Sequence, residues 1–355
     1  MKAAVLEAFG LPLVIQTVPD PQPGAGEVVV DVVAAPVLSY AAEVLSGARE
    51  FPLLLPMAVG VGAVGRVRAV GPDATRIVAG DWVLCDPTVR SRDDAVAPDV
   101  MLQGWIAPGA GAQRLQAHFR HGPFAEQMLL PLENAVRLGE LDPEDAGRWC
   151  TLGLFLVPYA GLLAANLQAG ETVLISGATG NFGSAAVAVA LAMGAGCVIA
   201  PGRNEAALED LVRRFGSRVV TVSLTGDEAE DQQRIRQVAP QPIDKMLDIL
   251  PPLPNAAPVR AAAMTVRPHG TIVLMGGLRV GLELPYGHIM RNSITVRGQY
   301  MYPRDAPGRL VALIRSGLLS LNDFAVTSFK LDTANEAVAH ATANGGPFRL
   351  TVIEP

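Results

Sequence analysis

The chain has 355 residues, 50% of them hydrophobic and 17% charged, so it can bury large cores and does not read as disordered. Lys and Arg total 28 against 34 Asp and Glu, a net charge of −6 with no basic block, which argues against a nucleic-acid binder built on clustered phosphate contacts. The length favours two domains, and the three widely spaced cysteines, Cys85, Cys150 and Cys197, make neither a CxxC pair nor a disulfide framework, which suits a reducing cytoplasm.

The start, Met1-Lys-Ala-Ala-Val-Leu-Glu7, holds too short an apolar stretch for a signal peptide. Lys2–Leu6 and Glu27–Val33 read as strands on either side of the turn-rich Pro19–Gly24. Glycines then recur at 60, 62, 65, 71 and 80 among Val and Arg, the pattern of short strands turning sharply in a small barrel, and Gly80–Cys85 adds another strand. Residues 86–122 show no clear period and read as a long surface loop or lobe. Thr151–Ala165 is apolar but contains Pro158 and stops short of the roughly 20 residues of a membrane span, so no membrane association is expected.

From about residue 150 the pattern changes. Strands at 172–176, 197–200, 219–222, 245–249, 271–275 and 293–297 alternate with helices at 182–194, 204–215, 227–238 and 255–266. Such alternation predicts a parallel, doubly wound α/β sheet. Helices near 305–316 and 333–343 and a strand at 349–353 close the chain.

Gly177-Ala178-Thr179-Gly180-Asn181-Phe182-Gly183 joins the first strand of this unit to its first helix. A pyrophosphate needs backbone N–H groups at a helix start with no side chains in the way, and glycine at 180 and 183 meets that need. The spacing is looser than G-x-G-x-x-G, but its place between strand and helix points to a dinucleotide. Past the second strand come Gly202, Arg203 and Asn204, where an NAD site places an acid for the ribose 2′-hydroxyl. A guanidinium matches a 2′-phosphate instead, so the expected cofactor is NADP(H), although Glu205 lies close.

A glycine-rich barrel, a dinucleotide unit and a return to the barrel resemble the medium-chain dehydrogenase/reductase superfamily. The motifs that carry the resemblance are Gly60-Val-Gly-Ala-Val-Gly65 with Ala69-Val-Gly71, Gly80-Asp-Trp-Val83, Gly122-Pro-Phe-Ala-Glu126 and Ala169-Gly-Glu-Thr-Val-Leu-Ile-Ser-Gly177. It implies a GroES-like β-barrel catalytic domain at 1–151 and 302–355, and a Rossmann cofactor domain at 152–301. Zinc alcohol dehydrogenases of this superfamily carry ligands where this chain has Leu38, Val61 and Gly153, and a four-cysteine structural lobe within 86–122, where this chain has none. None of the three replacements has a lone pair to give a metal, so no metal is expected. What remains resembles the zinc-independent quinone oxidoreductase branch. Ala35-Pro-Val-Leu-Ser-Tyr40 is similar to that branch's Asn-Pro-x-Asp-x-Tyr stretch, with the Asn and Asp lost.

The resemblance also implies that Gly276-Gly277, Leu250 and Tyr300 contact the cofactor, and that the last cofactor-sheet strand pairs two subunits into a homodimer. Conjugated carbonyls need no Lewis acid if a positioned O–H can donate. Tyr40 is the first candidate donor, with Tyr159, Tyr300 and Tyr302 as further ones. Tyr286 reads as a half-buried packing residue. His118 and His121 are three apart without an acid or cysteine close in sequence, and no metal site is expected there. The expected function is NADPH-dependent reduction of a quinone or an α,β-unsaturated carbonyl by a cytoplasmic enzyme. The alternatives are an idle NADP-binding redox sensor or structural protein on the same fold, a zinc-free alcohol or aldehyde oxidoreductase, and an atypical short-chain dehydrogenase.

Overall fold

β-Branched runs and small-residue runs alternate along the chain, and each becomes the element its period favours. The computed structural model describes residues 1–355. In order, the first elements are β1 (Lys2–Leu6), β2 (Val14–Thr17), β3 (Glu27–Val37), α1 (Ala41–Leu45), β4 (Met57–Ala58), β5 (Ala63–Val70), β6 (Trp82–Cys85), β7 (Thr88–Arg90), β8 (Val100–Leu102), α2 (Gly109–His118), β9 (Gln127–Pro131), β10 (Ala135–Arg137), α3 (Ala146–Trp149) and α4 (Leu152–Ala164). The alternating stretch follows as β11 (Thr172–Ser176), α5 (Asn181–Ala192), β12 (Cys197–Gly202), α6 (Glu205–Phe215), β13 (Val219–Ser223), α7 (Glu228–Val238), β14 (Ile243–Asp248), α8 (Ala257–Ala263), β15 (Val266–Leu274), α9 (Tyr286–Arg291), β16 (Thr295–Gly298) and α10 (Ala306–Arg315). The chain ends with β17 (Ala325–Lys330), α11 (Ala334–Asn344) and β18 (Arg349–Glu354).

Two compact units result. One comprises Met1–Gly153, Leu321–Gly345 and Arg349–Pro355, the other Leu154–Ser320 and Gly346–Phe348. The sequence division puts the return to the barrel at 302, whereas α10 stays with the second unit. Its Leu310 and Val311 are buried, and Arg309 lies over the ring of Tyr159 at 5.8 Å within that unit.

The first unit is a β structure of the GroES-like kind. Its seven-stranded sheet runs β10-β6-β5-β3-β18-β17, with β9 also on β3, beside a three-stranded β2-β1-β4 sheet. The long β3 changes partner along its length, with β9 opposite Glu27–Asp31 and β18 opposite Ala35–Val37. Residues 86–122 are a lobe with its own core, not a loop. The β7–β8 hairpin and α2 bury Val89, Met101, Ala107, Ala112 and Phe119 together. The sequence conceals α2, because Gly109-Ala-Gly-Ala-Gln carries only a faint apolar stripe.

The second unit is a Rossmann sheet of six parallel strands ordered β13-β12-β11-β14-β15-β16. The order reverses between β11 and β14, the switch point where such sheets bind ligands beyond their strand ends. Helix α5 is mostly Ala and Val, and every residue from Gly183 to Leu191 is buried. The apolar stretch around Pro158 is longer than the sequence reading allowed. The segment Pro143–Ala164, 22 residues of consecutive short helices and turn, is by length and composition enough to cross a membrane, but 78% of an 18-residue apolar window within it is buried inside the protein. Cys85, Cys150 and Cys197 are all buried and unpaired.

Candidate functional site

The loop after β11 is shaped by backbone contact. Gly177 has φ +96°, a conformation that favours glycine, and the Gly180 N–H donates to its carbonyl at 2.9 Å. A Cβ on Gly183 would stand 1.8 Å from that same carbonyl oxygen. Gly183 therefore lets α5 pack onto the loop, a packing role beside the ligand approach expected from the sequence. Gly180 is the residue with room, since a Cβ there meets only the Gly177 oxygen, at 3.3 Å. Gly180 caps α5 without any side-chain hydrogen bond, and the first turn holds no acid. Its N–H groups suit an anion. Asn181 Nδ2 donates to the Gly346 carbonyl at 3.0 Å, and Ser184 Oγ accepts from the Phe348 N–H at 3.2 Å, so this turn is braced. Ala178 is buried, while Thr179 and Phe182 are half-buried.

Strand β12 ends at Gly202, and Arg203 follows it fully at the surface. The space a side chain at 202 would take is filled by Thr179, whose Cγ2 lies 2.4 Å from a Cβ built there, so Gly202 serves packing. Asn204 caps α6, its Oδ1 accepting from the Ala207 N–H at 3.1 Å. Glu205 accepts from the Ser223 hydroxyl at 2.9 Å, which ties this carboxylate to the end of β13.

The other strand ends interlock. The Leu250 carbonyl accepts from the Gly277 N–H at 2.7 Å, and the Leu250 N–H donates to Asp248 Oδ1 at 3.3 Å. Asp248 is buried, and burial pushes its carboxyl up to about 6, against hydrogen bonds from Leu250, Gly276 and Ser176 that pull it down. The sequence reading missed Asp248, although an acid closing the apolar run Met246-Leu247 is a legible signal. Tyr300 is 59% exposed after β16, whereas Tyr159 and Tyr302 are buried. Burial raises the Tyr159 phenol. Tyr286 is no packing residue. It is 81% exposed on α9, a helix with no buried residue.

In the first unit Tyr40 is half-buried at the start of α1. Its ring meets Trp105 edge-on at 5.9 Å, and the Arg49 guanidinium lies over it at 4.2 Å. Arg49 is itself fixed by Glu43, Nε to Oε2 at 2.8 Å. Of the residues that the resemblance sets against zinc ligands, Leu38 is buried, and a Cβ at Gly153 would meet nothing within 4 Å. No three His, Cys, Asp or Glu residues cluster in a way that could hold a metal ion. The two histidines of the lobe part company. His118 pairs with Glu27, and His121 Nδ1 accepts from the Ala58 N–H at 3.0 Å.

Residues 24–140 match the model of the alcohol dehydrogenase GroES-like domain, and residues 182–316 match that of the zinc-binding dehydrogenase. The chain belongs to the medium-chain dehydrogenase/reductase superfamily. It is 29% identical over 320 residues to an alcohol dehydrogenase of Rhizobium meliloti, covering 86% of this chain and 85% of the relative. It is also 29% identical over 242 residues to the acryloyl-coenzyme A reductase of Metallosphaera sedula, covering 65% and 67%. Among solved structures, a zinc-binding dehydrogenase of Sinorhizobium meliloti bound to NADP superposes with a TM-score of 0.80 at 20% identity, over 100% of this chain and 99% of that one. Leu38, Val61 and Gly153, which the resemblance sets against the zinc ligands, have no lone pair to give a metal, so these three residues do not fit a zinc ion.

Proposed function

We propose that this oxidoreductase reduces quinones or α,β-unsaturated carbonyls with NADPH and without zinc. The observation that supports the reading is the glycine turn Gly177–Gly183 leading into a helix with no side-chain cap and no acid in its first turn, in a chain with Leu38, Val61 and Gly153 where the resemblance sets metal ligands. When bound, NADPH supplies the hydride. The first turn of α5 would hold its pyrophosphate, and the Arg203 guanidinium would pair with the 2′-phosphate. The Leu250 and Gly276-Gly277 turns, with Tyr300, contact its nicotinamide end.

Tyr40 donates a hydrogen bond or proton toward the substrate oxygen as charge develops there. Its ring is fixed between Trp105 and Arg49, which suits a donor that must keep one orientation. The acryloyl-coenzyme A reductase among the relatives is named for a conjugated thioester substrate, which favours the same substrate class here. β16 is an edge strand bonded only to β15, with all four residues exposed and Met290 and Tyr300 exposed nearby, which supports a homodimer through this edge.

The test is turnover of Tyr40→Phe. NADPH affinity should stay as in the wild type while kcat falls roughly tenfold to a thousandfold with enones, and less with quinones, which accept electrons readily. Wild-type rates on both substrates would reduce Tyr40 to a packing residue.

A further inference from the structure

Asp248 ends β14 as a buried carboxylate, 2% exposed, with no cation among the groups that act on it. Its hydrogen-bond donors come from three strand ends. They are the Leu250 N–H just past β14, the Gly276 N–H past β15 and the hydroxyl of Ser176 that closes β11. The backbone crosses the same three ends. Ile249 donates to the Ser176 carbonyl at 3.1 Å, Met275 to the Asp248 carbonyl at 3.1 Å and Gly277 to the Leu250 carbonyl at 2.7 Å. A Cβ on Gly276 would lie 2.4 Å from Asp248 Oδ2, so glycine is what lets that turn close onto the carboxylate. An uncompensated buried charge is costly, and a neutral side chain would pack this site at less cost. The charge therefore needs a reason beyond packing.

We propose that Asp248 is a positioning residue for the dinucleotide, its ionised carboxylate clamping the ends of β11, β14 and β15 into the shape that receives the nicotinamide end. The proposal rests on the reading above that the Leu250 and Gly276-Gly277 turns contact the nicotinamide. Protonation replaces an acceptor lone pair with a donor facing donors, and the clamp loosens.

The ionisable groups on the neighbouring elements are few. On β14, Lys245 pairs with Glu171 at 3.5 Å and Asp244 with Arg267 of β15 at 2.6 Å. His269 also lies on β15, five residues before its end, and Arg279 and Glu283 follow that strand. Helix α4, whose Gly161 lies against Leu247 and Met275, carries Tyr159. The influences on Asp248 are burial and its three hydrogen bonds.

The experiment measures NADPH and NADH dissociation constants of the full chain between pH 5 and 7.5, for wild type, Asp248→Asn and Ser176→Ala. At pH 5, a unit below the value of about 6, roughly one molecule in ten keeps Asp248 ionised, so wild-type affinity should fall about tenfold from its value at pH 7.5. The 2′-phosphate of NADPH titrates in the same range, so the decisive quantity is wild type minus Asp248→Asn, with NADH, which lacks that phosphate, as control. Asp248→Asn should bind more weakly than wild type at pH 7.5 and lose the acid limb with both cofactors. Ser176→Ala removes one donor and should move the wild-type limb to higher pH, which keeps the idea testable if Asp248→Asn folds poorly. Parallel profiles for wild type and both variants would overturn the proposal. A wild type that binds neither dinucleotide at any pH would overturn the cofactor reading itself, and the proposal with it.

Discussion

Gly183→Ala and Gly180→Ala should fail in different ways, and the contrast tests how the glycine loop works. A methyl at 183 would lie 1.8 Å from the Gly177 oxygen, 2.6 Å from its carbon and 2.8 Å from the Ala178 Cα. All three are backbone atoms, so no rotamer relieves the clash. Ordinary contact begins at about 3.4 Å, so α5 must retreat by about 1.6 Å at its first turn. That displacement strains the Gly180-to-Gly177 hydrogen bond of 2.9 Å and the brace from Ser184 Oγ to the Phe348 N–H. The expected loss is about 2–4 kcal/mol, a fall of roughly 5–15 °C in the melting temperature of a unit this size. Cofactor binding should go with it, because the anion-binding N–H groups move. At 180 the nearest atom is 3.3 Å away and the backbone is extended, with φ −88° and ψ 175°, so alanine fits the free fold. There the methyl stands where a phosphate must approach. We expect a melting temperature within about 2 °C of wild type and NADPH binding at least tenfold weaker. Thermal unfolding with and without NADPH reads both variants. If Gly183→Ala melts like wild type, or Gly180→Ala binds NADPH normally, the assignment of roles in this loop is wrong.

Arg203→Asp should weaken NADPH binding by about 2 kcal/mol and narrow the gap to NADH, as measured by titration, and a wild type that prefers NADH would refute the 2′-phosphate assignment. Purified protein should hold no stoichiometric zinc by elemental analysis and keep its activity in EDTA, and one tightly bound zinc per chain would contradict the donor analysis. Asp248 also predicts a stability profile. Its carboxyl lies higher in the folded protein, at about 6, than the ordinary 3.8, so the folded state binds the proton more tightly and the charge costs stability at neutral pH. As pH falls from 7.5 to 4.5 the wild type should gain about 2 kcal/mol relative to Asp248→Asn in denaturant titrations, and a constant difference would show that Asp248 is not perturbed.

Much of the Rossmann unit was legible because each element carries its own period. The apolar strands, the Asn204 cap of α6 and the strand–glycine–helix join are local signals. The barrel was legible mainly through its glycines. What stayed hidden depends on tertiary contact. Helix α2 is stabilised by the small core it shares with β7 and β8, not by its own sequence. The packing of Gly183 against the Gly177 carbonyl and of Gly202 against Thr179 shows only once their neighbours are known, since no spacing tells what fills the room of an absent Cβ. Asp248 is marked in the sequence only as an acid closing the apolar run Met246-Leu247, and its part emerges once three strand ends converge on it. The cradle of Tyr40 likewise joins Arg49 and Trp105, nine and 65 positions away in the chain.

The most direct test of the central claim follows the hydride. NADPH deuterated at C4, in each of its two stereochemical forms, is incubated with the protein and an α,β-unsaturated ketone, and the product is examined by mass spectrometry and NMR. The account predicts a saturated ketone carrying one deuterium at the β-carbon, from only one of the two labelled forms. Deuterium at the carbinol carbon of an unsaturated alcohol, or oxidation of simple alcohols with no reaction of the enone, would contradict it.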